Sequence, residues 1–496
     1  MTDHLLDRVR AVLARARLEL PEPVAREPLA VALRRLDEPL RVAIAGKVKA
    51  GKSTLLNALV GEELAPTDAG ECTRIVTWYS DGPAYRVRVH LTGAAPELRP
   101  FDRVAGALRI TLGRPAEEVD HLEVQLPSRR LREHTLIDTP GLASLSTEVS
   151  FRTTAFLAAD DDRAAEADAV VYLLRHMHGS DLRFLEAFHG DDLARGSPIN
   201  AVGVLSRADE IGGCRLDAMA AAGAVAERYH GDERLRRLCP VVVPVAGLLG
   251  LAAATLREEE YRQLSTVAAA PTAEVVELLL TADRFAAGDT PIDVSERDRR
   301  QLLARLGLFG VRLAVHLLRE GTVADSAALA RELTARSGLD RLGEILAAQF
   351  TGRSRVLKAR SALAALDAVL RAAPAGAAGV VGPLLAEAEG IRASAHEFVE
   401  LRLLHLLRSG RLPGRPEQLA DLERVLGGSG AEPAARLGLP GDAVPERLLT
   451  AAGEALGRWQ RLAEHPLTGR ELRTAARAAA RSCEGILAAQ TTPHPA

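Results

Sequence analysis

Residues 41–56, Arg-Val-Ala-Ile-Ala-Gly-Lys-Val-Lys-Ala-Gly-Lys-Ser-Thr-Leu-Leu, constrain this chain more than any other stretch. An apolar strand pattern over 42–45 enters Gly46-Lys-Val-Lys-Ala-Gly51-Lys52-Ser53, and helical spacing follows at Leu55, Leu56, Leu59 and Val60. A glycine-rich turn between a strand and a helix lets backbone N–H groups converge on a phosphate chain at a helix N-terminus. The spelling predicts a phosphate cradle made by Gly46, Val48, Lys49, Ala50, Gly51, Lys52, Ser53 and Thr54. Lys52 is expected to reach the β- and γ-phosphates, and the Ser53 hydroxyl to hold Mg²⁺. Lysine usage adds an independent argument. Four lysines (Lys47, Lys49, Lys52, Lys358) stand among 63 basic residues, and three of them fall in this loop, so a compact ammonium is used where arginine is otherwise the rule.

A chain of 496 residues holds roughly two to four domains. With 47% hydrophobic residues, 26% charged and a net charge of −3, it reads as soluble and globular with no pull toward nucleic acid. Cys72, Cys214, Cys239 and Cys483 stand far apart without disulfide or metal spacing, which fits a reducing cytoplasm. Asp7, Arg8 and Arg10 interrupt any signal-peptide core. The long uncharged run 239–256 contains Pro240, Pro244, Gly247 and Gly250, so it is read as a buried strand (241–245), a loop and the start of a helix rather than a membrane span.

Helical spacing predicts helices at 3–20 and about 27–36 before the first strand. After the phosphate-loop helix, a polar segment ends in Thr73-Arg-Ile-Val-Thr77 and enters a strand at 75–79. A threonine there is where a nucleotide-sensing switch places a Mg²⁺ ligand, and Thr73 is preferred over Thr67 and Thr77. Strand patterns follow at 85–92, 106–112 and 121–126. His134-Thr-Leu-Ile-Asp138-Thr-Pro-Gly141 then ends a buried strand: Asp138 is expected on Mg²⁺ through water, and the Gly141 N–H on the γ-phosphate. His176 and His178 lack a third ligand and are not read as a metal pair. A strand over 199–205 leads to Ser206-Arg207-Ala208-Asp209, where an aspartate after a strand suits a base-reading turn. Its carboxylate accepts from guanine N1–H and the exocyclic amine, whereas adenine leaves it unpaired, which points to GTP over ATP. Ala246, after the last strand, is expected to close over the base.

Alternating strands and helices predict an α/β, doubly wound parallel sheet with ligands at the carboxyl ends of its strands. Beyond 251 the pattern is helical near 251–285, 294–320, 325–336, 338–372, 387–409, 416–427, 445–464 and 469–490. The expected division is a pair of helices at 1–38, a GTP-binding core at 39–250, a helical extension at 251–340 and an all-α bundle at 341–496 to which the N-terminal helix returns. A continuous helix over 338–372 is expected to end in the uncharged stretch 374–386, an apolar turn read either as a peripheral membrane contact, with Arg371, Arg408 and Arg411 available for acidic lipid, or as a packed connector, since it is glycine-rich and lacks aromatic anchors.

At the loops just quoted, the chain resembles the bacterial dynamin-like GTPases. The likeness is carried by Lys49-Ala-Gly-Lys-Ser-Thr-Leu-Leu-Asn-Ala-Leu, Pro66-Thr-Asp-Ala-Gly-Glu-Cys-Thr73-Arg, Asp138-Thr-Pro-Gly141 and Ser206-Arg-Ala-Asp209, and more weakly by Leu306-Gly-Leu-Phe-Gly310. Within that family it looks most like the mycobacterial isoniazid-induced dynamin-like proteins. The resemblance implies a Mg²⁺-dependent GTPase on a helical neck and stalk. It also implies self-association through the GTPase faces, a second dynamin-like chain as a candidate partner, and action at the inner face of the cell membrane. Ser206 and Arg207 depart from the family's usual base-reading residues, and Val48 and Lys49 from its usual Gln and Ser.

Leu142 stands where Ras-type switches place a water-orienting glutamine, so catalysis is assigned to the Thr73 backbone, Lys52, and Lys49 near the β–γ bridge, a position where related members carry an arginine finger. The segment 175–183 is read either as crossing a dimer, as the resemblance implies, or as an ordinary connection. Two functions are weighed: a GTPase coupled to self-assembly and membrane remodelling, and a soluble regulatory GTPase whose helical half binds a protein.

Overall fold

The computed structural model describes residues 4–20, 26–47, 49–64, 75–91, 93–104, 107–115, 118–139, 167–175, 181–183, 185–186, 200–239 and 241–491. Val48, Thr67, Thr73, Gly141, His176 and His178 lie outside them. The described strands are β1 (Leu40–Gly46), β2 (Val76–Asp81), β3 (Arg86–Leu91), β4 (Glu97–Arg99), β5 (Phe101–Val104), β6 (Ala107–Ile110), β7 (Val119–Leu126), β8 (His134–Asp138), β9 (Ala169–Leu174), β10 (Ala201–Ser206) and β11 (Val242–Val245).

Nine of these form one sheet, in the order β11, β10, β9, β1, β8, β2, β7, β3, β4. From β11 to β8 every pairing is parallel. Beyond β8 the expected parallel sheet becomes mixed: β2 runs antiparallel to β8 but parallel to β7, and β3 antiparallel to β7. All six residues of β9 and of β10 are buried, as strands covered on both faces require, whereas β3 and β7 alternate buried and wetter positions, as strands with one solvated face do. The strand expected at 106–112 is β6, which lies outside the main sheet as the second arm of a hairpin with β5.

The helix expected over 338–372 is two helices, Leu339–Gln349 and Ser354–Arg371, parted by a 3-10 turn at Thr351–Arg353. The break divides two cores. Leu342, Ile345 and Phe350 pack with Val42, Ile44 and Leu136 of the sheet, while Leu363, Leu366 and Leu370 pack with Leu5, Val9, Leu13 and Leu29 of the N-terminal helices His4–Glu19 and Arg26–Arg35. The turn is held by Arg353, buried, which donates to Gln349 Oε1 at 2.9 Å and to the Gly427 carbonyl. Burial lowers its pKa to about 9, with Arg408 and Arg436 pushing the same way. Glu400 meets Arg436 at 2.6 and 3.1 Å and accepts from Ser482 at 2.6 Å.

The stretch 374–386 is not the turn expected. It passes through a short 3-10 segment into the helix Ala378–Ser394, and Leu384 is fully buried against the N-terminal helices. Arg408 is committed elsewhere, bonding Glu423 at 2.7 Å and the Gly428 carbonyl at 3.0 Å. The C-terminal helices Pro445–Glu464 and Arg470–Thr491 close a further core around Trp459 and Cys483. Among the described residues one helix, Glu296–Arg319, is long and apolar enough to cross a membrane, but half of its apolar window is buried inside the protein.

Glu400 supplies a test of the junction. Burial works to raise its pKa, but the His396 hydrogen bond and the Arg436 guanidinium overcome this and hold it at about 2. A carboxylate lowered from its ordinary value of 4.5 stabilises fully above pH 4.5 and loses that contribution as pH falls toward 2. Glu400→Gln is expected to cost about 3 kcal/mol at pH 7 in urea unfolding, and the gap to the parent is expected to shrink between pH 4.5 and 2. A gap that stays constant over that range contradicts the assignment.

Candidate nucleotide site

The phosphate loop is shaped by an unusually close crossing. Gly46, at φ 150°, ends β1 where a Cβ would stand 2.8 Å from the Leu173 carbonyl oxygen of the neighbouring β9, so only glycine passes. The chain then turns, with the Ala50 N–H donating to the Lys47 carbonyl at 3.1 Å, and Lys52 opens the helix Lys52–Val60. Lys49 is exposed and takes a left-handed backbone at φ 62°. The Lys52 ammonium folds back and donates to the Gly46 and Lys47 carbonyls, each at 3.3 Å. Burial lowers its pKa, against the pull of Asp138.

Lys47, which the lysine count grouped with the phosphate cradle, points elsewhere. Its Nζ lies 3.0 Å from Asp181 Oδ2, and the buried Asp181 carboxylate also accepts from the Tyr172 hydroxyl at 2.7 Å. The phosphate loop is thereby pinned to the segment after β9, a link that nothing in the spacing of residues 47 and 181 signals.

Strand β8 delivers Asp138 to the other side of the loop. Ser53 Oγ donates to Asp138 Oδ2 at 3.1 Å, while Asp138 Oδ1 is buried and lacks a hydrogen-bond partner among the described residues. Burial raises the Asp138 pKa to about 6, with Lys52 and the Ser53 hydroxyl acting in the opposite direction. A hydroxyl and an orphaned carboxylate oxygen side by side fit a divalent cation, whose charge relieves the burial penalty on the carboxylate. Thr77 lies across from Asp138 in the strand register, but it is buried and donates to the Ile75 carbonyl at 3.3 Å.

The base-reading turn folds into the same cleft. A pocket of about 240 Å³ is lined by Ala50, Gly51 and Thr54 of the phosphate loop and by Ser206, Arg207 and Asp209. Six expected site residues from segments some 150 positions apart in the chain therefore meet at one cavity. Ala246 does not join them: it is fully buried, its N–H donating to the Ser337 carbonyl at 2.8 Å, and Gly247 and Leu248 line the pocket instead. Arg207, left-handed at φ 52°, points its guanidinium to Glu210 Oε1 at 2.8 Å. Glu210 also bonds Arg175 and lines the pocket, a role foreshadowed in the sequence only by its i,i+3 spacing from Arg207. Burial raises the Asp209 pKa.

The crossing at Gly46 predicts that Gly46→Ala is destabilised by about 2 kcal/mol or more in urea unfolding, because a side chain there meets backbone rather than a movable group. Unchanged stability would contradict the close approach.

The sequence profile of the "Dynamin family" matches residues 42–182. The chain is 42% identical over 458 residues to "Isoniazid-induced protein IniC" of Mycobacterium tuberculosis, covering 92% of this chain and 91% of that protein. It is 32% identical over 132 residues to "Bacterial dynamin-like protein" of Nostoc punctiforme, covering 23% of this chain and 19% of that one. Among solved structures it is similar to one described as "An oligomerised bacterial dynamin pair provides a mechanism for the long range sensing and tethering of membranes", at 13% identity and TM-score 0.34, over 98% of this chain and 79% of that one. A phosphate loop and an aspartate-bearing turn that share one pocket, the family profile over residues 42–182 and 42% identity to the Mycobacterium tuberculosis protein over nearly the full length of both chains place this chain in the dynamin family as a bacterial dynamin-like GTPase.

Proposed function

We propose that the chain cleaves GTP to GDP and phosphate at the cleft between the phosphate loop and Asp209, and that cleavage drives self-assembly and peripheral binding of an acidic membrane surface. The observation that carries the nucleotide half is the single pocket shared by Ala50, Gly51, Thr54 and Asp209. In this reading the amides of 46–54 cradle the phosphates, Lys52 leaves its two carbonyl partners for the β- and γ-phosphates, and Asp209 takes the guanine edge. Ser53 and Asp138 would hold Mg²⁺, joined by Thr73 from the switch segment, and the ion would supply positive charge to the phosphate oxygens when bound. The Thr73 backbone positions the attacking water, the Gly141 N–H meets the γ-phosphate, and Lys49 supplies the remaining positive charge.

Lys49 suits that role because it is exposed beside the cradle, whereas Lys47 is held by Asp181 and Lys52 is turned inward. Lys52→Ala is expected to abolish turnover. Lys49→Ala is expected to lower kcat by about a hundredfold or more while leaving GDP affinity nearly unchanged. Full kcat in Lys49→Ala would remove Lys49 from the mechanism.

The packing supports a unit of sheet and covering helices that runs through Leu339–Gln349, followed by a helical lever in which Ser354–Arg371 and Ala378–Ser394 carry the N-terminal helices. The first of those helices lies antiparallel to Ala378–Ser394, since Arg8 meets Ser394 at 2.9 Å and Arg15 meets Glu387 at 2.6 Å. That register puts Leu18, 85% exposed, at the same end as Leu385, 39% exposed. This bundle end is our candidate for membrane contact at the inner face of the cell membrane. A second reading, a soluble GTPase switch whose helical half binds a protein, draws on the burial of Leu384, which commits part of the apolar stretch to the bundle's own core. Sedimentation with anionic liposomes decides between them: the full chain is expected to pellet with a non-hydrolysable GTP analogue, and a Leu18→Glu, Leu385→Glu variant to stay in the supernatant. Loss of neither contact on mutation, or no pelleting of the parent, favours the second reading.

A further inference from the structure

The motif Leu306-Gly-Leu-Phe-Gly310 lies in the helix Glu296–Arg319, and its place there bears on the base pocket. Gly307 breaks that helix with φ 67° and ψ 170°, a backbone region open in practice to glycine alone. The break faces the base-reading turn. A Cβ at Gly307 would stand 3.6 Å from Leu248 Cδ2 and 3.8 Å from Asp209 Oδ2, and both residues line the nucleotide pocket.

The helix is fastened on either side of the break. Before it, Arg305 reaches Glu63 at 2.9 Å, the Thr255 carbonyl at 2.8 Å, the Thr255 hydroxyl at 2.9 Å and the buried Glu260. After it, Arg312 donates to the Gly213 and Cys214 carbonyls at 3.0 and 2.8 Å and to those of Leu279 and Leu280. Gly213 and Cys214 follow directly on the turn that carries Asp209. Two multidentate guanidinium clamps and a glycine-only backbone therefore bring one stretch of helix against the back of the Asp209 carboxylate. Packing a bend this closely behind a carboxylate excludes water from that side and fixes where its oxygens point.

We propose that Gly307 is a positioning residue for base selection: the kink it permits is the back wall that holds Asp209 and Leu248 in register with guanine. The proposal rests on the reading of Asp209 as the guanine acceptor. Arg305 also ties this helix to Glu63, just beyond the C-terminal end of the phosphate-loop helix.

The test compares GDP with IDP, which carries the same phosphates and ribose but lacks the exocyclic amine that Asp209 accepts from. Affinities are measured by calorimetry on the full chain with Mg²⁺. The parent is expected to prefer GDP, by roughly tenfold or more, as the loss of a hydrogen bond to a charged group implies. In Gly307→Ala the backbone leaves the kinked conformation, so GDP, which loses both hydrogen bonds to Asp209, is expected to lose more affinity than IDP, which loses only the N1–H bond, and the GDP-to-IDP ratio to collapse toward one. Arg312→Lys, which retains the charge but not the multidentate hold on the turn, is expected to lower the ratio in the same direction and carries the test should Gly307→Ala not fold. A ratio unchanged in the folded variants, or equal losses for both nucleotides, overturns the proposal. A parent that binds GDP and IDP equally overturns the reading of Asp209 instead.

Discussion

The closeness of Gly46 to the Leu173 carbonyl is the constraint on which the nucleotide site depends. β1 sits between β8 and β9, so whatever leaves its carboxyl end must pass over one neighbour and beside the other. Passing over β9 without a side chain sets the start of the phosphate loop, and pairing with β8 sets Asp138 beside Ser53. The Ser53–Asp138 pair and the phosphate loop thus follow from one strand placement, and both lie at the strand ends where α/β sheets bind ligands. Lys47 and Asp181 reinforce the crossing from the far side, using a charge that the loop does not spend on phosphate.

The same logic extends outward through charged side chains rather than apolar ones. Arg305 and Arg312 each reach several carbonyl or carboxylate acceptors across segments distant in sequence, and Arg353 reaches the Gly427 carbonyl. In a chain with only 3% aromatic residues, the planar five-donor guanidinium fork does much of the work of orienting one helix on another. Arg353 does this at the place where the sheet-covering helix Leu339–Gln349 and the helix Ser354–Arg371 part, which makes that turn a built feature of the chain rather than a frayed helix end.

What was legible in the sequence follows the range of the forces involved. Short motifs were readable because backbone chemistry dictates their spelling: Gly46 to Thr54, Asp138 and Asp209 stand where strand ends put them. Helix limits such as 445–464 were legible from periodicity alone. The mixed half of the sheet was not, because alternation in β3 and β7 tells which face is wet but not which way a neighbour runs. The break at Thr351–Arg353 was hidden because apolar spacing continues in phase across it, and the turn is held by carbonyls at Gly427, some 74 residues on. Ala246 was misplaced by one position for a similar reason: its burial against Ser337 depends on a helix far along the chain. Gly307 had a signal, a glycine in a helical run, but its meaning required Asp209 to be seen behind it.

The account stands on a purine diphosphate being gripped jointly by the phosphate loop and the Asp209 turn. Calorimetric titration of GDP and of ADP into the full chain with Mg²⁺ addresses that most directly. One GDP site per chain, with ADP at least a hundredfold weaker because its N1 acceptor leaves the buried carboxylate unpaired, is the expected result. Equal affinity for the two nucleotides, or no heat with GDP, would contradict it.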